Sequence, residues 1–159
     1  MRVFILKYFI RSCFPAELFG DSFYKCSPER NTMDARRELL DLNNKIPLAE
    51  KNRDVSYLDN LLDPKLVFKR ADGSIADKLV YLDSVANKAN TVEYIEQIVT
   101  SIEFSKEKDF AIINSIVKFR GIRSGKHVAG IFRNIRYFSN HAGWKIFVWH
   151  NDMLSTVLH

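Results

Sequence analysis

A chain of 159 residues can bury one core of ordinary size but not two, and its 47% hydrophobic and 13% aromatic content excludes a disordered tail or linker. A net charge of +5 permits contact with polyanions, although where the charges sit matters more than their sum. The only cysteines, Cys13 and Cys26, precede the patterned part of the sequence, so no disulfide framework or cysteine metal site organises it.

The first ten residues are apolar, but Lys7 interrupts them, Arg11 closes them, and no small-residue cleavage site follows. No later run approaches the roughly 20 apolar residues of a membrane-spanning helix. A cytoplasmic protein with no membrane association is therefore expected. Residues 1–32 read as a poorly ordered extension, 33–153 as the domain, and 154–159 as a short tail.

From Thr32 the pattern is helical. Ala35, Leu39, Leu42, Ile46 and Ala49 alternate steps of four and three, which places them on one helix face. Pro47 has no N–H to bond back to Asn43, and a kink is expected there. Asp54 can cap a short second helix with Leu58, Leu61 and Leu62 inward, and Pro64 follows its end. Residues 66–70 read as a strand and Asp72-Gly73 as a tight turn. Asp77 can cap a third helix carrying Leu79, Leu82 and Val85 inward.

After residue 90 the period changes to two. Runs at 92–104, 110–120, 126–139 and 144–152 read as strands, and their short separators imply antiparallel neighbours. Helices first and a meander last define an α+β fold, with three N-terminal helices packed on a strongly bent antiparallel sheet.

The succession Glu50-Lys51-Asn52-Arg53-Asp54, Leu61-Leu62-Asp63-Pro64-Lys65-Leu66-Val67-Phe68 and Ala71-Asp72-Gly73 resembles the front half of SnoaL-like proteins. These form a branch of the nuclear-transport-factor-2-like superfamily. Phe132-Arg133-Asn134, Gly143-Trp144-Lys145-Ile146 and Trp149-His150 resemble its back half, so the likeness spans residues 33–153. The resemblance implies a cystatin-like cone whose relatives range from ketosteroid isomerases, cyclases and dehydratases to non-catalytic assembly domains. Such breadth points to a fold more than to an activity.

Charge is unevenly divided. Residues 110–151 hold no Asp or Glu but seven Lys or Arg, whereas residues 33–109 hold fifteen acidic and twelve basic residues. Ketosteroid-isomerase chemistry uses a carboxylate base and a protonated Asp in its oxyanion hole. The last three strands cannot supply that acid before Asp152. A base would have to come from a helix or from Glu93, Glu96 or Glu103.

A tight turn at residues 140–143 pairs Ser139 with Trp144 and Arg133 with His150, and the preceding hairpin brings Asn114 near Arg133. One face then carries Ile112, Asn114, Ile116, Ile131, Arg133, Ile135, Ile146, Val148 and His150. This aliphatic surface with three polar groups is expected to line a ligand pocket. Asn114, Arg133 and His150 are the expected ligand contacts, with His150 the candidate general base. The opposite face (Ser115, Val117, Phe132, Asn134, Arg136, Phe138, Phe147, Trp149 and Asn151) is expected to be the interface of a homodimer through the open side of the sheet.

The four histidines lack metal-ligand spacing, and no phosphate loop, nucleophile elbow or nucleic-acid-reading motif occurs. No cofactor, metal or nucleic-acid partner is expected. The leading expectation is a cone that binds a small apolar molecule bearing an anionic or carbonyl group. The alternatives are a cofactor-independent isomerase, dehydratase or cyclase using a His or helix carboxylate as acid/base, and a non-catalytic dimerisation module.

Overall fold

The computed structural model describes residues 32–156, so the expected extension and both cysteines lie outside the described residues. The chain runs α1 (Thr32–Asn52), α2 (Val55–Leu61), β1 (Leu62–Lys69), β2 (Ile75–Ala76), α3 (Lys78–Ala86), β3 (Thr91–Phe104), β4 (Phe110–Arg123), β5 (Lys126–Asn140) and β6 (Trp144–Thr156). Two short strands thus stand between the second and third helices. The tail expected from residue 154 is instead the end of β6 as far as Thr156.

Local chemistry sets the boundaries. The Asp54 carboxylate accepts from the Tyr57 N–H and that of Asp77 from the Val80 N–H, both at 2.9 Å, so each caps the first turn of its helix. Helix α1 continues through Pro47. The carbonyl of Asn43 that Pro47 cannot satisfy accepts instead from the Gln97 side-chain amide of β3, at 3.2 Å. A broken helix bond thereby ties helix to sheet. The buried stripe of α1 is Ala35, Leu39, Asn43, Ile46 and Ala49, with polar Asn43 taking a place in it.

The six strands form one sheet in the order β2-β1-β6-β5-β4-β3. Strands β3 to β6 are an antiparallel meander, but β1 lies parallel to β6, so the expected antiparallel sheet is mixed. Parallel neighbours need a crossover, and here helix α3 and the whole meander supply it. β4 runs three residues past its expected end. Gly121 is a strand residue paired with Val92, not a turn residue, and glycine is needed there because a Cβ would sit 2.0 Å from the Thr91 carbonyl oxygen. The turn itself falls on Ser124 and Gly125, both at positive φ.

Bulges between Val92 and Tyr94, Val99 and Ser101, Ile131 and Phe132, and Tyr137 and Phe138 interrupt the ladders and bend the strands. All three helices pack on one face. The core joins Leu39, Ile46, Leu58, Leu61, Tyr81, Leu82 and Val85 of the helices to Ile113, Phe138, Trp144, Ile146 and Trp149 of the strands. In α3 it is Tyr81, and not the expected Leu79, that points inward; Leu79 stays exposed because the buried stripe falls on residues 81, 82 and 85.

Candidate functional site

The pairing places Asn114, Arg133 and His150 on one face, as their parity requires, but that face looks away from the helices. Observed partners are Asn114 with Ile135, Ile135 with His150, and Arg133 with Asp152. The β5–β6 register differs by two residues from the expected one at this point, which preserves the face while separating Arg133 from His150. Near the turn it differs by one, and Ile146 therefore flips to the helix side, where it is fully buried beside Phe138.

Each of the three has a local partner. Arg133 is half-exposed and pairs with Asp152 at 3.1 Å, and Lys69 reaches the same carboxylate at 3.0 Å. Hydrogen bonds from Lys69 and then Arg133 hold the Asp152 carboxyl below the ordinary carboxylate range. Asn114 donates to the Ser101 hydroxyl at 2.9 Å, and the His150 ring lies edge-on to Tyr137. None of the three lines the open cavity of about 340 Å³ formed by Tyr94, Lys118, Phe119, Arg120, Ala129, Gly130 and Ile131. That cavity has little net charge to offer. Its Lys118 and Arg120 already pair with Glu96 and Glu93, each at 3.1 Å.

The face expected to form the subunit interface is the one the helices cover. At its centre is Arg136, 2% exposed, and among the described residues its hydrogen-bond acceptors are neutral amide oxygens. Its Nη1 donates to Asn43 Oδ1 and Gln97 Oε1, each at 2.6 Å, and its Nη2 donates to Asn134 Oδ1 at 3.1 Å. Asn134 Oδ1 also accepts from the Trp149 indole N–H at 2.9 Å, and the guanidinium lies over the Trp149 ring, 4.1 Å from its centroid. A cation is thus held among neutral dipoles and an aromatic face.

Burial lowers the Arg136 pKa to about 10, while Glu50, Tyr81 and Tyr57 act in the opposite direction. Glu50 is the helix carboxylate joined to this network: it accepts from Tyr81, whose hydroxyl is 2.8 Å away. Burial, and then Glu50, push the Tyr81 pKa well above its ordinary value, so the hydroxyl remains a donor.

The network is incomplete. Among the described residues, Arg136 Nε, Asn43 Nδ2 and Ser115 Oγ are buried without a hydrogen-bond partner, as is Trp144 Nε1 towards the other end of the sheet. The first three are close in the fold: Asn43 touches Arg136, and Ser115 pairs across the strands with Asn134. All three can donate. An unmet buried donor costs about 1–3 kcal/mol, so an acceptor within reach, a water molecule included, would stabilise the cluster. Asn43, spaced four after Leu39 and three before Ile46 in an otherwise apolar stripe, was the sequence signal for it.

No protein-family model and no curated protein matches the chain, but solved structures do. An NTF2-like (nuclear transport factor 2-like) protein from Cytophaga hutchinsonii aligns with a TM-score of 0.67 at 19% identity, covering 75% of this chain and 98% of its own. A putative Ca/calmodulin-dependent kinase II association domain from Exiguobacterium sibiricum aligns at 0.64 and 18%, covering 77% and 95%. A ketosteroid isomerase-like protein from Erwinia carotovora atroseptica aligns at 0.62 and 10%, covering 75% and 95%. The fold is therefore the NTF2-like cone, three helices on a curled six-stranded sheet.

Proposed function

We propose that this domain binds a small apolar molecule inside the cone, with a hydrogen-bond acceptor of that molecule directed at the Arg136 cluster. The observation that carries the reading is a buried guanidinium with neutral hydrogen-bond partners on the covered face of the sheet, its own Nε and the nearby Asn43 Nδ2 and Ser115 Oγ being without a partner among the described residues. Apolar walls with a few converging polar groups are how ligand sites are usually built, and Phe68, Tyr81 and Trp149 supply an aromatic wall beside the cluster. The SnoaL-like resemblance fits such a role.

The test is a ligand-observed NMR screen of small molecules that carry a carbonyl or an acid group. Hits are expected to disappear with Arg136→Gln and persist with Arg133→Gln. The opposite result would return the site to the outer face, and an empty screen would refute the reading.

The domain acts, in this proposal, as a homodimer through its outer face. That face carries Val67, Ile98, Ile112, Ile116, Ile131, Ile135 and Val148, and its charges are matched in place by the Lys118–Glu96, Lys69–Asp152 and Arg133–Asp152 pairs. A second copy would meet an oily centre without like-charge repulsion. Sedimentation is expected to show a dimer for the native chain and a folded monomer for Ile135→Glu; a monomeric native chain would refute it.

A further inference from the structure

We infer that the end of the sheet at the β4–β5 turn is a docking surface for an anionic lipid bilayer, an inference that depends on neither the interior site nor the outer-face dimer. Of the seven Lys and Arg between residues 110 and 151, five are already matched. Lys118, Arg120 and Arg133 pair with carboxylates, Arg136 is held inside the core, and Lys145 donates to the Asn60 carbonyl. The two that remain, Arg123 and Lys126, stand directly opposite each other across the turn. Like charges in that position repel. Arg123 lies over the Phe119 ring, 4.7 Å from its centroid, and neither cation has a carboxylate partner among the described residues.

Two further cations meet them there. Arg53 donates to the Lys88 and Asn90 carbonyls, the latter at 2.9 Å, and the Asn90 side-chain oxygen accepts from the Ser124 N–H at 2.8 Å. The α1–α2 turn, the α3–β3 loop and the β4–β5 turn are thereby tied together, with Arg53, Lys88, Arg123 and Lys126 at one end of the domain. The acids of these segments do not cancel them. Glu93 is held by Arg120 and Asp54 caps α2, which leaves Asp83 on the last turn of α3. Aliphatic side chains share this end. There β6 finishes, with Met153 opposite Phe132 and Thr156 opposite Gly130, and Met153 and Leu154 are 44% and 52% exposed. Cations draw the domain to an anionic surface, and aliphatic side chains then enter the headgroup region. A single-stranded nucleic acid would meet the same cations but stacks its bases on free aromatic faces, and the Phe119 face is taken by Arg123. The combination favours lipid.

Co-sedimentation of the full chain with vesicles tests the assignment, with phosphatidylcholine alone compared with phosphatidylcholine containing one-third phosphatidylglycerol. The chain is expected to sediment with the anionic vesicles, to ignore the neutral ones and to be released as salt rises. Lys88→Glu and Lys126→Glu, both at exposed positions, should each weaken binding at least about fivefold. Lys65→Glu makes the same charge change on β1, near where Leu62 pairs with Ile146 at the start of β6 and so far from the turn. It should alter binding by no more than about twofold. Leu154→Ser should weaken binding about threefold or more through lost apolar contact. Equal losses in Lys65→Glu and Lys126→Glu, sedimentation without anionic preference, or native binding by Leu154→Ser would overturn the proposal. So would capture of a single-stranded oligonucleotide with the anionic vesicles left unbound.

Discussion

The two faces of the sheet both carry large apolar side chains and use them differently. On the helix side Phe138, Ile146 and Trp149 are sealed around a polar centre, Arg136 with Asn43, Asn134 and Ser115. On the other side isoleucines lie beside ion pairs that are already neutralised on the surface. The inner face therefore concentrates unmet hydrogen-bonding capacity in a low-dielectric setting, where each donor matters most. The outer face concentrates unmet hydrophobic area.

The sharpest way to break this contrast is to remove the centre of the inner face. Arg136→Ala leaves the Asn43 and Gln97 side-chain oxygens without their donor, takes one of two donors from Asn134 Oδ1 and uncovers Trp149, with an expected loss of about 3–5 kcal/mol in urea unfolding. Next comes one substitution made on both faces. Ile146→Ala, at a position 0% exposed, should cost about 2–5 kcal/mol. Ile98→Ala, at 51% exposure, should change monomer stability by no more than about 0.5 kcal/mol. Equal costs would mean that the two faces are not distinguished as described.

The smallest effect is on pH dependence. The Asp152 carboxyl sits below its unfolded value because Lys69 and Arg133 donate to it. Its contribution is present above the unfolded carboxylate pKa of about 3.9 and is lost as pH falls through the lower folded value. Asp152→Asn should lower stability slightly at neutral pH, with the difference from the native chain vanishing as pH falls below about 4 and the acid limb correspondingly flatter; a difference that persists undiminished in acid would contradict the pairing.

Element order, both helix caps and the four long strands were legible because caps and period-two runs are local signals. Which side of the sheet meets the helices was not. Alternation separates Ile135 from Arg136 onto opposite faces, but it does not say which face is covered, and aliphatic residues suit a core and an interface equally well. The register was partly hidden as well. The bulge on β6 opposite Tyr137 and Phe138 leaves Phe147 unpaired, which no sequence pattern marks, and it moves Ile146 from one face to the other. The site followed the same fate: Asn114, Arg133 and His150 shared a face as expected, while the buried Arg136 was assigned outward with its neighbours. The polar Asn43 in the α1 stripe, and the carbonyl that Pro47 leaves free, were the local clues to the covered side.

The most direct measurement of the central claim is the Arg136 Nε–H resonance in a proton–nitrogen NMR spectrum recorded while benzoate is added. This proton is buried and has no acceptor in the free protein. On binding it should move strongly downfield together with the Trp149 indole N–H, with Arg133 Nε–H unmoved. Movement of the Arg133 and His150 signals with a stationary Arg136 would contradict the account.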